Sequence, residues 1–237
     1  MRKPARAFVV LATLIGGSGC FAVFGLDGYG PPAVEEEEED ASVDVRDVSV
    51  PEARADAPVD AGPRGRIVFV SSERFTGALG GLDGADERCQ ESAERAGISG
   101  RTFKAWLSEG AASPSTRFAR FGADAGPELV LPDGTLVAED YAQLAESGPR
   151  VPILLTEQRK SVDAGTSGWG PGCAGDGRVW SNTHPNGTGR GTVSCGGWSS
   201  VDAIGRAGVL GATENSSWTD DCSFACSNQA HLYCFEQ

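Results

Sequence analysis

Seven cysteines are spread unevenly along this chain of 237 residues, and their placement constrains the fold more than any other feature. Cys173, Cys195, Cys222, Cys226 and Cys234 crowd the last third, Cys89 stands alone upstream, and Cys20 closes an apolar N-terminal segment. An even set of six with an odd one at a processing site reads as a disulfide framework, and disulfides persist in oxidising compartments. Beyond Leu155 the chain is rich in Gly, Ser and Asn and poor in apolar runs. Core burial alone would not hold such a segment in one conformation, so cross-links supply the missing restraint. Six cysteines allow fifteen connectivities, and spacing does not choose among them.

The N-terminus points the same way. Arg2, Lys3 and Arg6 precede the apolar stretch AFVVLATLI at residues 7–15, and Gly16-Gly17-Ser18-Gly19-Cys20 follows. This is the three-part pattern of a secretory signal, too short for a stable membrane span. Ser18-Gly19-Cys20 resembles the end of a bacterial lipobox, although Gly17 stands where Leu, Val or Ile is usual. The resemblance implies cleavage after residue 19 and lipidation of Cys20, with several acyl chains giving stable anchoring. The expected location is therefore the outer membrane or cell surface of a bacterium, with the lipid as the sole membrane contact.

Residues 20–65 form the next unit. Pro31-Pro32 leads into Glu35 to Glu39 and Asp40, then a stretch rich in Val, Asp, Ala and Pro. So little apolar surface cannot offset the entropy of ordering, and like charges favour extension, so a disordered acidic spacer is expected. Formal net charge is −13. This balance argues against a nucleic-acid partner, which requires a basic footprint, and against adsorption to anionic lipid.

Residues 66–237 carry the folded domain. Ile67-Val68-Phe69-Val70 reads as a buried strand. Asp83 is placed to cap a helix over residues 85–96, whose Ala85, Cys89, Ser92, Ala93 and Ala96 share one face, and Gly97 ends it. Residues 103–107 read as an alternating strand. Residues 129–131 and 135–137 flank the turn Pro132-Asp133-Gly134, and a short helix spans residues 139–146. Farther on, strands are expected only at Val179-Trp180 and at residues 232–235.

Certain segments, in their order and spacing, are similar to an uncharacterised bacterial surface-lipoprotein domain family. They are Gly80-Gly81-Leu82-Asp83-Gly84-Ala85-Asp86 through Cys89-Gln90, Phe103-Lys104-Ala105-Trp106-Leu107-Ser108, Val179-Trp180, Pro185-Asn186-Gly187, Cys195-Gly196-Gly197-Trp198, Ser217-Trp218-Thr219-Asp220 and Leu232-Tyr233-Cys234-Phe235-Glu236-Gln237. That family in turn resembles the endostatin-like branch of the C-type-lectin-like fold. The implied architecture is α+β, with two helices packed on short antiparallel sheets and a long loop region. The resemblance implies disulfides Cys89–Cys234 and Cys195–Cys226, and so leaves Cys173 and Cys222, which the four-cysteine endostatin pattern lacks, as the remaining pair.

The same resemblance supplies candidate ligand residues. Sugar-binding C-type lectins hold calcium with an oxygen-bearing residue, proline and Asn or Asp, and add a Trp-Asn-Asp motif. Here His184-Pro185-Asn186 and Trp218-Thr219-Asp220-Asp221 stand at those places, with His184 and Thr219 departing from the pattern. Calcium takes six to eight oxygens, which Asn186, Asp220 and Asp221 could supply in part. Trp169, in a glycine-rich loop, is a further candidate as a ligand platform. No nucleophile elbow, zinc-protease helix or phosphate loop is present, and Cys222-x-x-x-Cys226 has no histidine at ligand spacing. The expectation is a non-enzymatic surface lipoprotein that binds a protein or glycan partner and needs no cofactor. The alternative is a calcium-dependent carbohydrate-binding module.

Overall fold

The computed structural model describes residues 63–122, 126–164, 173, 177–213 and 216–237. The signal, Cys20, the tether as far as residue 62, and Trp169 lie outside the described residues. No described helix is long and apolar enough to cross a membrane. In chain order the elements are β1 (Arg66–Val70), α1 (Gly81–Arg95), β2 (Phe103–Ala105), α2 (Pro114–Arg117), β3 (Leu129–Val130), β4 (Leu136–Ala138), α3 (Tyr141–Ser147), β5 (Arg178–Trp180), β6 (Ile204–Val209), β7 (Cys222–Ala225) and β8 (Tyr233–Glu236). Among the described residues the fold is mixed α+β, with few helices, two small sheets and three disulfides.

The larger sheet has strand order β2-β8-β1-β3-β4. β1 is buried along its whole length because both faces of this sheet are covered. Side chains alternate across a strand, so Ile67 and Phe69 enter one apolar cluster while Val68 and Val70 enter the other. β8 does the same, sending Cys234 to the first cluster and Tyr233 and Phe235 to the second. The first cluster includes the inner face of α1. The second is rich in rings: Trp106 lies 5.0 Å from Phe235, 5.1 Å from Trp218 and 5.8 Å from Phe118, centroid to centroid.

Helix α1 presents Ala85, Cys89, Ser92 and Ala93 to the core, as its periodicity requires. It begins earlier than the sequence suggests. Gly80, at φ +87°, occupies the cap without a side-chain bond, and Asp83 falls inside the first turn, where its charge still favours the positive end of the helix. Gly84, inside that turn, packs tightly on the preceding loop: a Cβ there would lie 2.2 Å from the Leu79 carbonyl oxygen. At the other end Ile98 N–H donates to Ala93 O and Gly97 N–H to Glu94 O, both at 2.9 Å, which is a Schellman closure with Gly97 at φ +79°. Helix α3 is capped by Asp140, whose Oδ1 accepts from Gln143 N–H at 2.7 Å.

Three disulfides lock these parts together. Cys89 on α1 bonds Cys234 on β8 across a sequence separation of 145 residues. Closing a loop of that length contributes about 5 kcal/mol in the chain-entropy model. Cys195–Cys226 and Cys173–Cys222 complete the set; the first pairs the cysteines that the family resemblance implies, as Cys89–Cys234 does, and the second joins the two that remain.

The second half is more ordered than its composition suggests. β5, β6 and β7 form an antiparallel sheet in that order, although residues 204–209 and 222–225 read as loop. Cys195–Trp198 makes a single turn in which all four residues have left-handed φ, at +52°, +61°, +71° and +59°. Such a turn costs roughly 1–2 kcal/mol for each non-glycine residue. Gly196 and Gly197 keep that cost to Cys195, held by its disulfide, and Trp198, fully buried with its Nε1–H donated to Ser108 O at 3.0 Å. Trp106, Trp180 and Trp218 are likewise buried.

The Cys195–Cys226 bridge passes close to backbone that has no room for a side chain. A Cβ on Gly205 would lie 2.4 Å from Cys195 Sγ and 2.8 Å from Trp180 Cζ3. Gly205→Ala should therefore destabilise the domain by about 1–3 kcal/mol through overpacking. Denaturant midpoints check this, and an unchanged midpoint would show that the bridge has slack.

Candidate functional site

A buried hydroxyl network fixes the segment that carries the candidate residues. The Thr219 hydroxyl donates to Thr183 O at 3.0 Å, so it accepts both from Trp106 Nε1–H at 2.8 Å and from the Ser181 hydroxyl at 2.6 Å. The Thr183 hydroxyl donates to Ser181 O at 3.1 Å and so accepts from the Ser108 hydroxyl at 2.8 Å. Ser108, Ser181, Thr183 and Thr219 are all buried, and every one of these hydroxyls has its proton placed.

From that base residues 183–189 form a closed turn. His184 N–H donates to Thr188 O at 2.8 Å and Gly187 N–H to His184 O at 2.9 Å. Asn186 Oδ1 accepts from Thr188 N–H at 3.1 Å and from its hydroxyl at 2.7 Å, so Asn186 serves the turn itself. Gly187, at φ +76°, leaves its Cα face open to the Phe121 ring, and its carbonyl accepts from Ser115 N–H in α2. The turn is thereby held at its base and at its tip.

Asp220 lies beneath this turn, with a side chain only 1% exposed. Its Oδ2 meets Arg190 Nη1 at 2.7 Å and its Oδ1 accepts from Arg206 Nε–H at 2.6 Å, with Arg206 Nη2 on the same oxygen. His184 Nδ1 stands 3.6 Å from Oδ2. A buried carboxylate is tolerated only when its charge is matched, and here two guanidiniums match it. Asp221 faces elsewhere and accepts from Arg178 Nη1 at 3.1 Å. The structure thus brings His184 and Asp220 together, places Asp221 on a separate arginine and leaves Asn186 in its own turn. Trp169 lies outside the described residues. Among the described residues no group of three or more His, Cys, Asp and Glu side chains is arranged to hold a metal ion.

Arg190 and Arg206 carry the site's charge, and neither was singled out in the sequence. Arg190 is six residues beyond His184, on the return of the turn. Arg206 is on β6, a strand whose two glycines hide it.

The other histidine has a different setting. The sequence puts His231 on the surface or half-buried on the last strand. It lies instead just before β8, buried at 6% exposure, because it bridges the ends of two strands. Its Nδ1–H donates to Ser71 O at 2.7 Å, and its backbone exchanges hydrogen bonds with Arg178 and Trp180 of β5. Beside it a cleft of about 390 Å³ is lined by Ser72, Arg74, Val162, Asp163 and Gln229. Burial and the nearby Arg74 charge lower its pKa against the opposing pull of the Ser71 carbonyl and Glu157, so the folded domain favours the neutral imidazole. A second cleft of about 570 Å³ runs past Ile67, Ile98, Arg101, Pro132 and Arg159.

No family model matches this chain, and no curated protein matches it.

The shift of His231 has a signed consequence. Its folded pKa lies below the ordinary 6.5, so below that pH the unfolded chain takes up a proton more readily than the folded one. The associated stability is fully present above about pH 6.5 and is lost as pH falls toward the lowered folded value. His231→Gln should flatten this part of the stability–pH curve, read from denaturant midpoints. An identical slope in wild type and variant would assign the loss to other groups.

Proposed function

We propose that the chain is an exported, lipid-anchored bacterial surface protein that carries a C-type-lectin-like, endostatin-like domain on an acidic tether and binds a protein or glycan partner without catalysing a reaction. The observation that carries this reading is the arrangement of the two ends of the domain. β1 and β8 lie side by side and the Cys89–Cys234 bridge clasps the last strand to the first helix. The long excursion between them, with its own sheet and two further disulfides, supports a recognition surface built on loops. A tether entering at residue 63 would join β1, next to the closing strand. The lipobox-like Ser18-Gly19-Cys20 and three disulfides support export.

The geometry favours recognition without calcium. Both carboxylates of the calcium alternative accept from arginines, and a cation entering there would first have to displace guanidinium groups. Fold resemblance alone does not name a ligand, so the reading stops at a protein or glycan class.

Two measurements test the reading. Cys20→Ser should move the protein from the membrane fraction to the soluble one; unchanged membrane retention would contradict lipid anchoring. The exported, disulfide-bonded protein should bind a subset of a glycan array or a defined panel of surface proteins, with binding unaffected by chelator and abolished by reduction. Failure to bind either panel would remove the recognition role, and dependence on added calcium would replace it with the calcium-dependent one.

A further inference from the structure

The cluster around Asp220 has the charge of a receptor for an anion. Two arginines share one buried aspartate, so these three side chains carry one net positive charge, within a chain of net charge −13. A guanidinium has five N–H donors. Arg190 uses a donor on Asp220, and its side chain is 40% exposed; His184 beside it is 37% exposed. Arg206 is bound more completely, with Nε–H and Nη2 on Asp220 and Nη1 donating to Ser223 Oγ at 3.3 Å. Arg206 is thus the fixed member of the pair, and Arg190 presents unfilled donors to solvent. Asp220 acts as the anchor that brings two like charges together, holding Arg206 through two nitrogens and Arg190 through one.

The site is also held in place before any ligand arrives. Arg190 N–H donates to Asn182 O at 2.9 Å, His184 N–H and Thr188 O close the turn between them, and the tip rests on Phe121. Little ordering entropy remains to be lost on binding, which is the condition for a small anion to be held at all. A positive island on an acidic protein also concentrates field lines and draws anions to itself.

From this geometry we infer that Arg190, Arg206 and His184 form a binding site for a single carboxylate carried by the partner. The inference rests on the recognition role proposed above and names the group recognised. A planar carboxylate matches the guanidinium fork with two parallel hydrogen bonds. A monoanion also balances the one net positive charge, whereas a doubly charged anion would leave an excess beside buried Asp220. The carboxylate has two sources, a uronic acid in a glycan or an acidic residue of a protein.

The test is a nuclear magnetic resonance titration of the exported, disulfide-bonded protein, reading the Nε–H signals of Arg190 and Arg206. Galacturonate and N-acetylglutamate are the probes; galactose and N-acetylglutamine, which lack the charge, are the controls. Both arginine signals should shift saturably with the acids and stay in place with the controls, and the acid that saturates at lower concentration identifies the source. Arg190→Gln should weaken binding about tenfold or more, the loss expected for a charge-assisted hydrogen bond. Arg190→Lys should weaken it as well, because the charge stays and the fork is lost. Arg190→Lys keeps a cation beside buried Asp220, so an unchanged thermal midpoint in that variant ties its loss of binding to the site. No saturable shift, undiminished affinity in Arg190→Gln, or tighter binding of sulfate than of either acid would overturn the assignment. A partner captured equally by wild type and Arg190→Gln would overturn the carboxylate site and leave the recognition role standing. Carboxylate binding without any partner would support the site and count against that role.

Discussion

The last strand of this domain lies inside its sheet. β8 pairs with β1 on one side and β2 on the other, with Cys234 opposite Phe69 and Ala105. Until residues 233–236 are in place, β1 and β2 have no common partner and neither apolar cluster is complete. Tyr233 and Phe235 enter the ring-rich cluster, while Leu232 and Cys234 enter the cluster under α1. The contact has large sequence separation and a correspondingly high closure entropy. The Cys89–Cys234 bond removes that entropy from the unfolded chain, and the Schellman end of α1 keeps Cys89 on a helix of defined length.

The loop-rich half depends on the same logic at shorter range. Cys195–Cys226 holds a left-handed turn whose backbone would otherwise be costly, and that turn fixes Trp198 against the core. The Trp198 carbonyl accepts from Leu79 N–H at 2.8 Å and Gly80 N–H at 3.1 Å, tying the turn to the entrance of α1. Its side chain meets Ser108, which belongs to the hydroxyl network under the candidate site. The polar site is therefore positioned by the same connected set of buried contacts that closes the fold. Its outward face carries the partly exposed side chains of Arg190 and His184.

How much of this was legible follows from where local pattern and tertiary need agree. β1 shows as a bare apolar run, α1 as a repeated inner face with Gly97 at its end, and the β3–β4 hairpin through Pro132-Asp133-Gly134. Each is set by local chemistry. β6 is the opposite case: Ile204-Gly205-Arg206-Ala207-Gly208-Val209 has two glycines, which strands ordinarily avoid. Both are required by distant contacts. A Cβ on Gly205 would strike Cys195 Sγ, and one on Gly208 would lie 2.1 Å from the Trp218 carbonyl oxygen. With β6 hidden, Arg206 had no visible place. Asp220 and Asp221 were visible as an acidic pair, but the arginines that claim them come from β5, β6 and the return of a turn. The family resemblance pointed to two of the disulfide pairs and left Cys173 with Cys222 as the remainder; spacing alone leaves all of them open.

The account makes the insertion of β8 the step that completes the domain. Native-state hydrogen exchange of the disulfide-bonded protein reads this directly, residue by residue. The amides of Cys234 and Phe235 should exchange only through global unfolding, with the same opening free energy as those of Phe69 and Ala105. Exchange of the β8 amides through a lower-energy opening, with β1 and α1 still protected, would contradict it.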